Sequence, residues 1–413
     1  MKKFLSVLLT AVICSSMLCS GCVVENNNES EPSELVTDVE TSYNDGEVEF
    51  VHSQNPSIVE SNEPSDCPLS QAEINKVIEN AESVLEANNY SGTALIAVGN
   101  TIIFEKSYGK IDGRGSGDNT NSTFYQIGSV TKQFTGTAIL MLEKQGRIKT
   151  SDTLDKYFEG DDYLKKITIA QLLEMTAGMG DYMQTIEGDE ELLKKYAEAA
   201  KKSDDDAKKF IVDVILSEGI YTDPGKVYSY SNSAFYLLGI IIEKVTGMEY
   251  RDFLQQYFFD TAGMTDTYFV GDGRDNQTGY SPAQEKYISD KDDKYLTAEG
   301  DYPYLYSAGS VVSTAEDVNK WLDTLLSGNL IGESDFKKIE KSLYEYNYGW
   351  FTSYDCLYHS GRTYAYSSQI FMDRKTGVKV ILLTNISFYD NLKDMAKSIF
   401  DPLTEQVAKK NKR

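Results

Sequence analysis

The sequence predicts an α+β fold: one antiparallel sheet built from both chain ends and flanked by helices, with an inserted all-helical subdomain. Three observations carry this. β-rich runs cluster over 93–108 and again over 348–384, helical spacing of apolar residues dominates between them, and further helices open and close the folded region.

The folded region opens at Leu69, where Ile74, Val77, Ile78, Val84 and Leu85 recur at helical spacing up to the Asn88-Asn89 break. Thr93–Val98 and Thr101–Tyr108 are strand-like runs on either side of Gly99-Asn100, the two-residue signal of a tight hairpin. A Gly- and Asp-rich loop over Asp112–Asn121 leads to Phe124–Gly128, and an apolar helix follows over Phe134–Leu142. Helical patterns continue through Ile169–Met175, the charged stretch Glu190–Ile215, Ala234–Val245, Tyr250–Phe259 and Thr314–Leu326. Tyr348–Tyr354, Ser367–Met372 and Val378–Thr384 then alternate or run apolar as strands do, and Arg374-Lys375-Thr376-Gly377 turns the last two. An amphipathic helix from Leu392 to about Val407 closes the domain, bounded at 69–405, with a charged tail over 406–413. Such a sheet leaves a cleft at its junction with the helices.

Charge narrows the function classes. Forty Lys+Arg against 64 Asp+Glu give the 413-residue chain a formal charge of −24, a field that repels phosphate backbones. Nucleic acid is not an expected partner. The densest charged stretch, Asp204–Lys209, mixes both signs in the manner of a solvated helix surface. With two His in all, at 52 and 359, and no Cys or His cluster, neither a metal nor a cofactor is expected.

Lys2 and Lys3 precede an apolar run from Phe4 to Leu18, the pattern of a signal peptide over 1–22. Its end, Leu18-Cys19-Ser20-Gly21-Cys22, resembles the lipobox of bacterial lipoproteins, although Cys19 stands where such motifs usually carry Leu. The resemblance implies lipidation of Cys22 and an extracytoplasmic, membrane-anchored protein, with plain secretion as the alternative. Residues 23–68, rich in Glu, Asn, Ser and Asp, read as a disordered tether of about 45 residues and contain His52. As a flexible coil it would hold the domain roughly 35–40 Å from its anchor. The thiols then left are Cys67 and Cys356, too few for a disulfide scaffold, though able to pair with each other.

The pattern Ser-x-x-Lys occurs at Ser107/Lys110, Ser129/Lys132 and Ser334/Lys337. Ser107 ends a strand and Ser334 begins a charged helix, whereas Gly128 precedes Ser129 and an apolar helix follows it. One helical turn puts Lys132 on the same face as the Ser129 hydroxyl. A Ser hydroxyl attacks poorly until a base takes its proton, and a buried amine with no paired carboxylate has its pKa lowered enough to do so. Free N–H groups at the helix start could face charge developing on a reacting carbonyl. On these residues alone, a Ser129 helix cap with Lys132 at the surface is the plainer reading.

The wider context changes that balance. Ile127-Gly128-Ser129-Val130-Thr131-Lys132 resembles the active-site motif of class C β-lactamases, DD-peptidases and related esterases. The family's second motif, Tyr-x-Asn, is matched by Tyr230-Ser231-Asn232, and its third by His359-Ser360-Gly361, in the family's order and at separations of about 100 and 130 residues. Ile169–Leu173 with Thr176–Gly178, and Ser307–Ser310 before Ser313–Asp317, are further echoes; the resemblance covers about Leu69 to Leu403. It implies a β-lactamase/transpeptidase-like fold in which Ser129 is the acylated nucleophile and Lys132 its proton acceptor. Tyr230 would join the proton relay with its pKa lowered by neighbouring cations, and His359 would complete it, changing charge near neutral pH. Asn232, Ser360, Gly361 and Arg362 would bind substrate, with the Ser129 and Arg362 N–H groups as oxyanion hole. A core tyrosine and a strand histidine are the plainer alternatives for Tyr230 and His359.

The match has departures. Gln171, Met175 and Ala177 replace two His and a Ser frequent in relatives, and Arg362 and Ala365 stand at Gly positions. Arg362 would either narrow the cleft or offer a guanidinium to a substrate carboxylate. The implied function is acyl transfer on D-alanyl peptides or esters of the cell envelope. Hydrolysis of β-lactam antibiotics, or an inactive binding and sensor lipoprotein, are the alternatives.

Overall fold

Gly99 sits in the left-handed region (φ 56°), which lets two extended runs fold back on each other. The runs are β1 (Gly92–Val98) and β2 (Thr101–Tyr108), paired antiparallel in the computed structural model of the protein. The structure describes residues 67–111, 117–272, 302–342, 344–353, 356–363, 365–386 and 391–412, all within the unit 57–413. The expected signal peptide, Cys22, His52 and the tether up to residue 66 lie outside them.

Near the other end of the chain, β6 (Tyr346–Asn347), β7 (Trp350–Ser353), β8 (Cys356–Arg362), β9 (Ser367–Asp373) and β10 (Val378–Thr384) continue the sheet. The order is β2-β1-β10-β9-β8-β7-β6, antiparallel throughout. The two ends meet in the middle, where β1 and β10 pair from Gly92↔Thr384 to Val98↔Val378. Asp373 Oδ1 accepts the N–H groups of Lys375 (3.1 Å) and Thr376 (2.7 Å), which makes the β9–β10 turn.

β1 is buried along its whole length because both faces of the sheet are covered. Its even residues Ala94, Ile96 and Val98 pack with α1 (Gln71–Ala87) and α12 (Leu392–Asn411), while Leu95 and Ala97 face the larger core on the helical side. Residues 406–411 continue α12 rather than forming the expected tail.

The helical side holds α2 (Thr131–Lys144), α3 (Ile169–Leu173), α4 (Tyr182–Glu187), α5 (Glu190–Ala200), α6 (Asp204–Glu218), α7 (Asn232–Thr246) and α8 (Tyr250–Leu254), the last running on through a π-turn. The stretch expected as one charged run over 190–215 is two helices, because Ser203 caps α6 (Asp206 N–H to Oγ, 3.1 Å) and three Asp crowd its first turn. α9 (Tyr302–Gly309), α10 (Ala315–Leu326) and α11 (Glu333–Glu340) follow. This part is not all-helical as expected: β3 (Tyr125–Gln126), β5 (Val311–Ser313) and β4 (Tyr268–Phe269) form a second sheet in that order. Strands of two or three residues are too short to show a period of two. No helix among the described residues is long and apolar enough to cross a membrane.

Candidate active site

Two backbones meet at Gly128 and Gly361. Residues 128–130 form a single 3₁₀ turn leading into α2, and Gly128, at φ 52°, lies against β8 so closely that a Cβ there would sit 2.6 Å from the Arg362 N. Gly361 is as constrained, since a Cβ on it would come within 1.9 Å of the Ile127 carbonyl oxygen. β7 pairs with β8 only over Cys356–Tyr358, which leaves the His359–Arg362 edge facing the Ser129 turn. The Ser129 backbone N–H, in the first turn before α2, has no intrahelical acceptor by geometry. The serine hydroxyl thus stands where a helix start and a strand edge converge.

Lys132 is fully buried one turn on. Its Nζ donates to Ser129 Oγ (2.9 Å), Asn232 Oδ1 (2.8 Å) and the Ala308 carbonyl (2.7 Å). Ala308 lies two residues past a break in α9 at Tyr306 (φ 38°, ψ −135°), a conformation that costs a non-glycine residue of order 1–3 kcal/mol. Burial pushes the Lys132 pKa down to about 7, against the charge of Asp181, which raises it. As the neutral amine, Lys132 satisfies Asn232 and Ala308 with two protons and turns its lone pair to Ser129.

Asn232 opens α7 and is held from behind. Asp181 Oδ2 accepts both its backbone N–H (3.0 Å) and its side-chain Nδ2–H (2.8 Å), while Oδ1 caps α4 through Met183 N–H (3.0 Å). A carboxylate that no motif pointed to therefore stands behind the amine, bound to Asn232 and acting on Lys132 through space. Asp181 escaped the sequence analysis because it lies 51 positions from Asn232; its place just before a helix signals a cap and nothing more.

The third-motif side differs from expectation. His359 is buried with Nδ1 2.6 Å from the Ser360 carbonyl and Nε2 3.2 Å from the Tyr346 hydroxyl. The carbonyl can only accept and the phenol can donate, so the neutral Nδ1–H tautomer satisfies both. Burial and then the charge of Lys132 lower the His359 pKa to about 3, so it holds no charge near neutral pH. Tyr230 is corrected in the same way. Its hydroxyl lies beside Ser129 without completing a hydrogen bond among the described residues, and burial raises its pKa well above the ordinary phenol value. Its ring lies 5.1 Å from Lys132 Nζ, stacks on Phe351 and meets Tyr346 edge-on.

Ser360 and Arg362 point to the exposed face of β8, with Ser360 Oγ donating to Gln369 Oε1 at 2.6 Å. Met175, at one of the departures from the family pattern, takes the Ser231 N–H on its Sδ (3.3 Å) from a positive-φ position. Gln171 closes a capping box with Thr168. The other two Ser-x-x-Lys pairs stand apart: Lys110 pairs with Asp118 at 2.5 Å, and Lys337 is exposed on α11. Cys356 is a thiol, its pKa pushed up to about 12 by burial.

Comparison with known proteins bears on the fold and the family. The chain is 27% identical over 340 residues to PbpX of Bacillus subtilis, covering 82% of this chain and 77% of that one. It is 32% identical over 188 residues to penicillin-binding protein 4* of the same organism, covering 45% of this chain and 39% of that one. Protein flp of Staphylococcus aureus matches at 27%, with 77% of this chain and 64% of flp covered. In fold, FmtA of S. aureus superposes with a TM-score of 0.64 at 19% identity, covering 81% of this chain and 87% of FmtA. A D-stereospecific amidohydrolase from Streptomyces sp. gives 0.62 at 24%, covering 78% and 98%. D-amino acid amidase from Ochrobactrum anthropi gives 0.61 at 18%, covering 82% and 100%. The family model described as Beta-lactamase matches residues 78–401, and the chain belongs to that family.

Proposed function

We propose that this protein is a serine hydrolase working through an acyl-enzyme on Ser129, with D-alanyl or other D-aminoacyl peptides, amides or esters as substrates. The observation that carries the reading is the Lys132 amine, buried, its pKa near 7, and 2.9 Å from the Ser129 hydroxyl. Neutral Lys132 takes the hydroxyl proton as Ser129 Oγ bonds to the substrate carbonyl carbon. The oxyanion is received by the N–H groups of Ser129 and Arg362; loss of one such donor costs about 10²–10³ in rate. As the intermediate collapses, the C–N or C–O bond breaks and the leaving group takes a proton from the Tyr230 phenol, which regains one from the Lys132 ammonium. Water then cleaves the ester.

The D-aminoacyl preference draws support from the amidohydrolase and amidase named among the structural neighbours, and from the penicillin-binding names of the relatives. The leader ending in Cys22 supports a lipid-anchored enzyme at the cell envelope. The test is intact-protein mass spectrometry after incubation with a fluorophosphonate or penicillin, for wild type and Ser129→Ala. A single adduct lost in the variant supports the reading, and its lifetime separates slow acylation from β-lactam turnover. No adduct on folded protein points to a binding module.

A further inference from the structure

Asn232 can present either its carbonyl oxygen or its NH₂ to Lys132, and only the oxygen helps a base. An NH₂ there would compete for the amine lone pair; the oxygen accepts an amine proton and leaves the lone pair for Ser129. Nothing on Lys132 decides between the two rotamers, because an amine both donates and accepts. The choice is made on the far side of the amide.

We infer that Asp181 is a positioning residue for the acyl transfer: its carboxylate fixes the Asn232 amide, and the amide fixes the direction of the Lys132 lone pair. The inference rests on the proposed function of Ser129. Four hydrogen bonds carry it. Asp181 Oδ2 accepts only, so the two Asn232 N–H groups it takes, at 3.0 and 2.8 Å, force Oδ1 toward Lys132. Two reciprocal bonds lock the surrounding segments, Ser231 Oγ to the Gly180 carbonyl (2.6 Å) and Tyr182 N–H to Ser233 Oγ (2.9 Å). The carboxylate is therefore held from both sides and cannot turn away without breaking the second motif's grip on α4.

The same carboxylate acts on the amine through space. The ionisable groups facing Lys132 are Asp181 from the α4 cap, Tyr230 from the segment before α7, and His359 from β8. Tyr230 and His359 are neutral, which leaves Asp181 as the negative charge acting on the amine. Glu187 on α4 faces Asp181 in turn, holds the Tyr304 hydroxyl at 3.0 Å, and is pushed up to about 7 by burial. Asp181 itself is raised by burial, opposed by the N–H groups it accepts and by Lys132.

The experiment is the pH profile of Ser129 modification by a fluorophosphonate, in which Oγ bonds to phosphorus and fluoride leaves, on the full chain, for wild type, Asp181→Asn and Asp181→Ser. Serine keeps a cap for α4 but cannot reach Asn232, so it serves if the asparagine variant folds poorly. Wild type is expected to react with an acid limb set by Lys132. Both variants are expected to lose about 10- to 100-fold in the plateau rate, through misaimed proton transfer, and to shift that limb to lower pH because the charge holding the Lys132 proton is gone. A reactive wild type with variants that match it in rate and limb overturns the inference and leaves the proposed function standing. A slower variant whose limb does not move assigns Asp181 a structural role only and also overturns it. A wild type with no adduct overturns the proposed function itself, and with it this inference.

Discussion

On the helical side of Ser129, the Lys132 amine, the Ala308 carbonyl, the Asn232 amide and the Asp181 carboxylate meet at 2.7–3.0 Å, whereas on the strand side the Tyr228 and Tyr230 hydroxyls are buried without a completed hydrogen bond among the described residues. The helical side is polar and saturated. The strand side is a stack of Tyr228, Tyr230, Tyr346, Phe351 and His359 with centroids 4.7–6.3 Å apart at its tighter contacts. On the proposed function, the difference separates two tasks in one cleft. A base must be buried to lose its proton and still be aimed, which needs fixed acceptors. A proton donor must stay un-ionised, which an aromatic wall ensures by withholding solvation.

Replacing the amine is the hardest blow to this division. Lys132→Met is expected to lower the acylation rate by roughly 10³-fold or more and to abolish the limb near pH 7. Retained acylation with the limb intact would move the base to the strand side. Next comes Gly128→Ala, which presses a Cβ to 2.6 Å from the Arg362 N and forces the two halves apart. About 10²-fold in rate should be lost as the oxyanion donors separate, with about 1–3 kcal/mol of stability, read by urea unfolding.

Tyr230→Phe sharpens the contrast. Its hydroxyl makes no completed hydrogen bond among the described residues, so stability should change by less than about 0.5 kcal/mol while turnover of poor leaving groups falls about 10- to 100-fold. An equal loss of stability would mean that the phenol is structural. The smallest effect on rate belongs to His359, whose charge should be absent from every kinetic limb above about pH 4. It should show in stability instead. With the folded pKa about 3 and the unfolded value near 6.5, the unfolded chain binds the extra proton between them. Stability is then full above the unfolded value and falls with pH across that window, by at most ~1.4 kcal/mol per unit. His359→Gln should flatten that slope in unfolding series at pH 7, 6 and 5.

The hairpin at Gly99-Asn100, the burial of α2 and the pairing of chain ends were legible because each leaves a long local pattern: period two, period 3.6, or a turn dipeptide. β8 was not read as a strand, since His359-Ser360-Gly361 alternates burial without alternating hydrophobicity. β3, β4 and β5 are too short to leave a pattern at all. At the site, Ser129 and Lys132 lie one turn apart and could be paired from local geometry. Asp181, the Ala308 carbonyl and the Tyr346 hydroxyl reach the site only through tertiary packing, and the neutrality of Tyr230 and His359 depends on burial that no motif encodes.

The pairing of β1 with β10 also has a kinetic side. Tyr90 donates its hydroxyl to the Leu383 carbonyl 293 positions away, and the strand edge that completes the Ser129 turn belongs to the same late-arriving segment. Contacts of that span form slowly, because a long loop must close before they return any stabilisation. A chain without its last strands lacks the Arg362 backbone that lies against Gly128. The proposed Ser129 site is therefore complete only once the strand carrying Arg362 has joined the sheet.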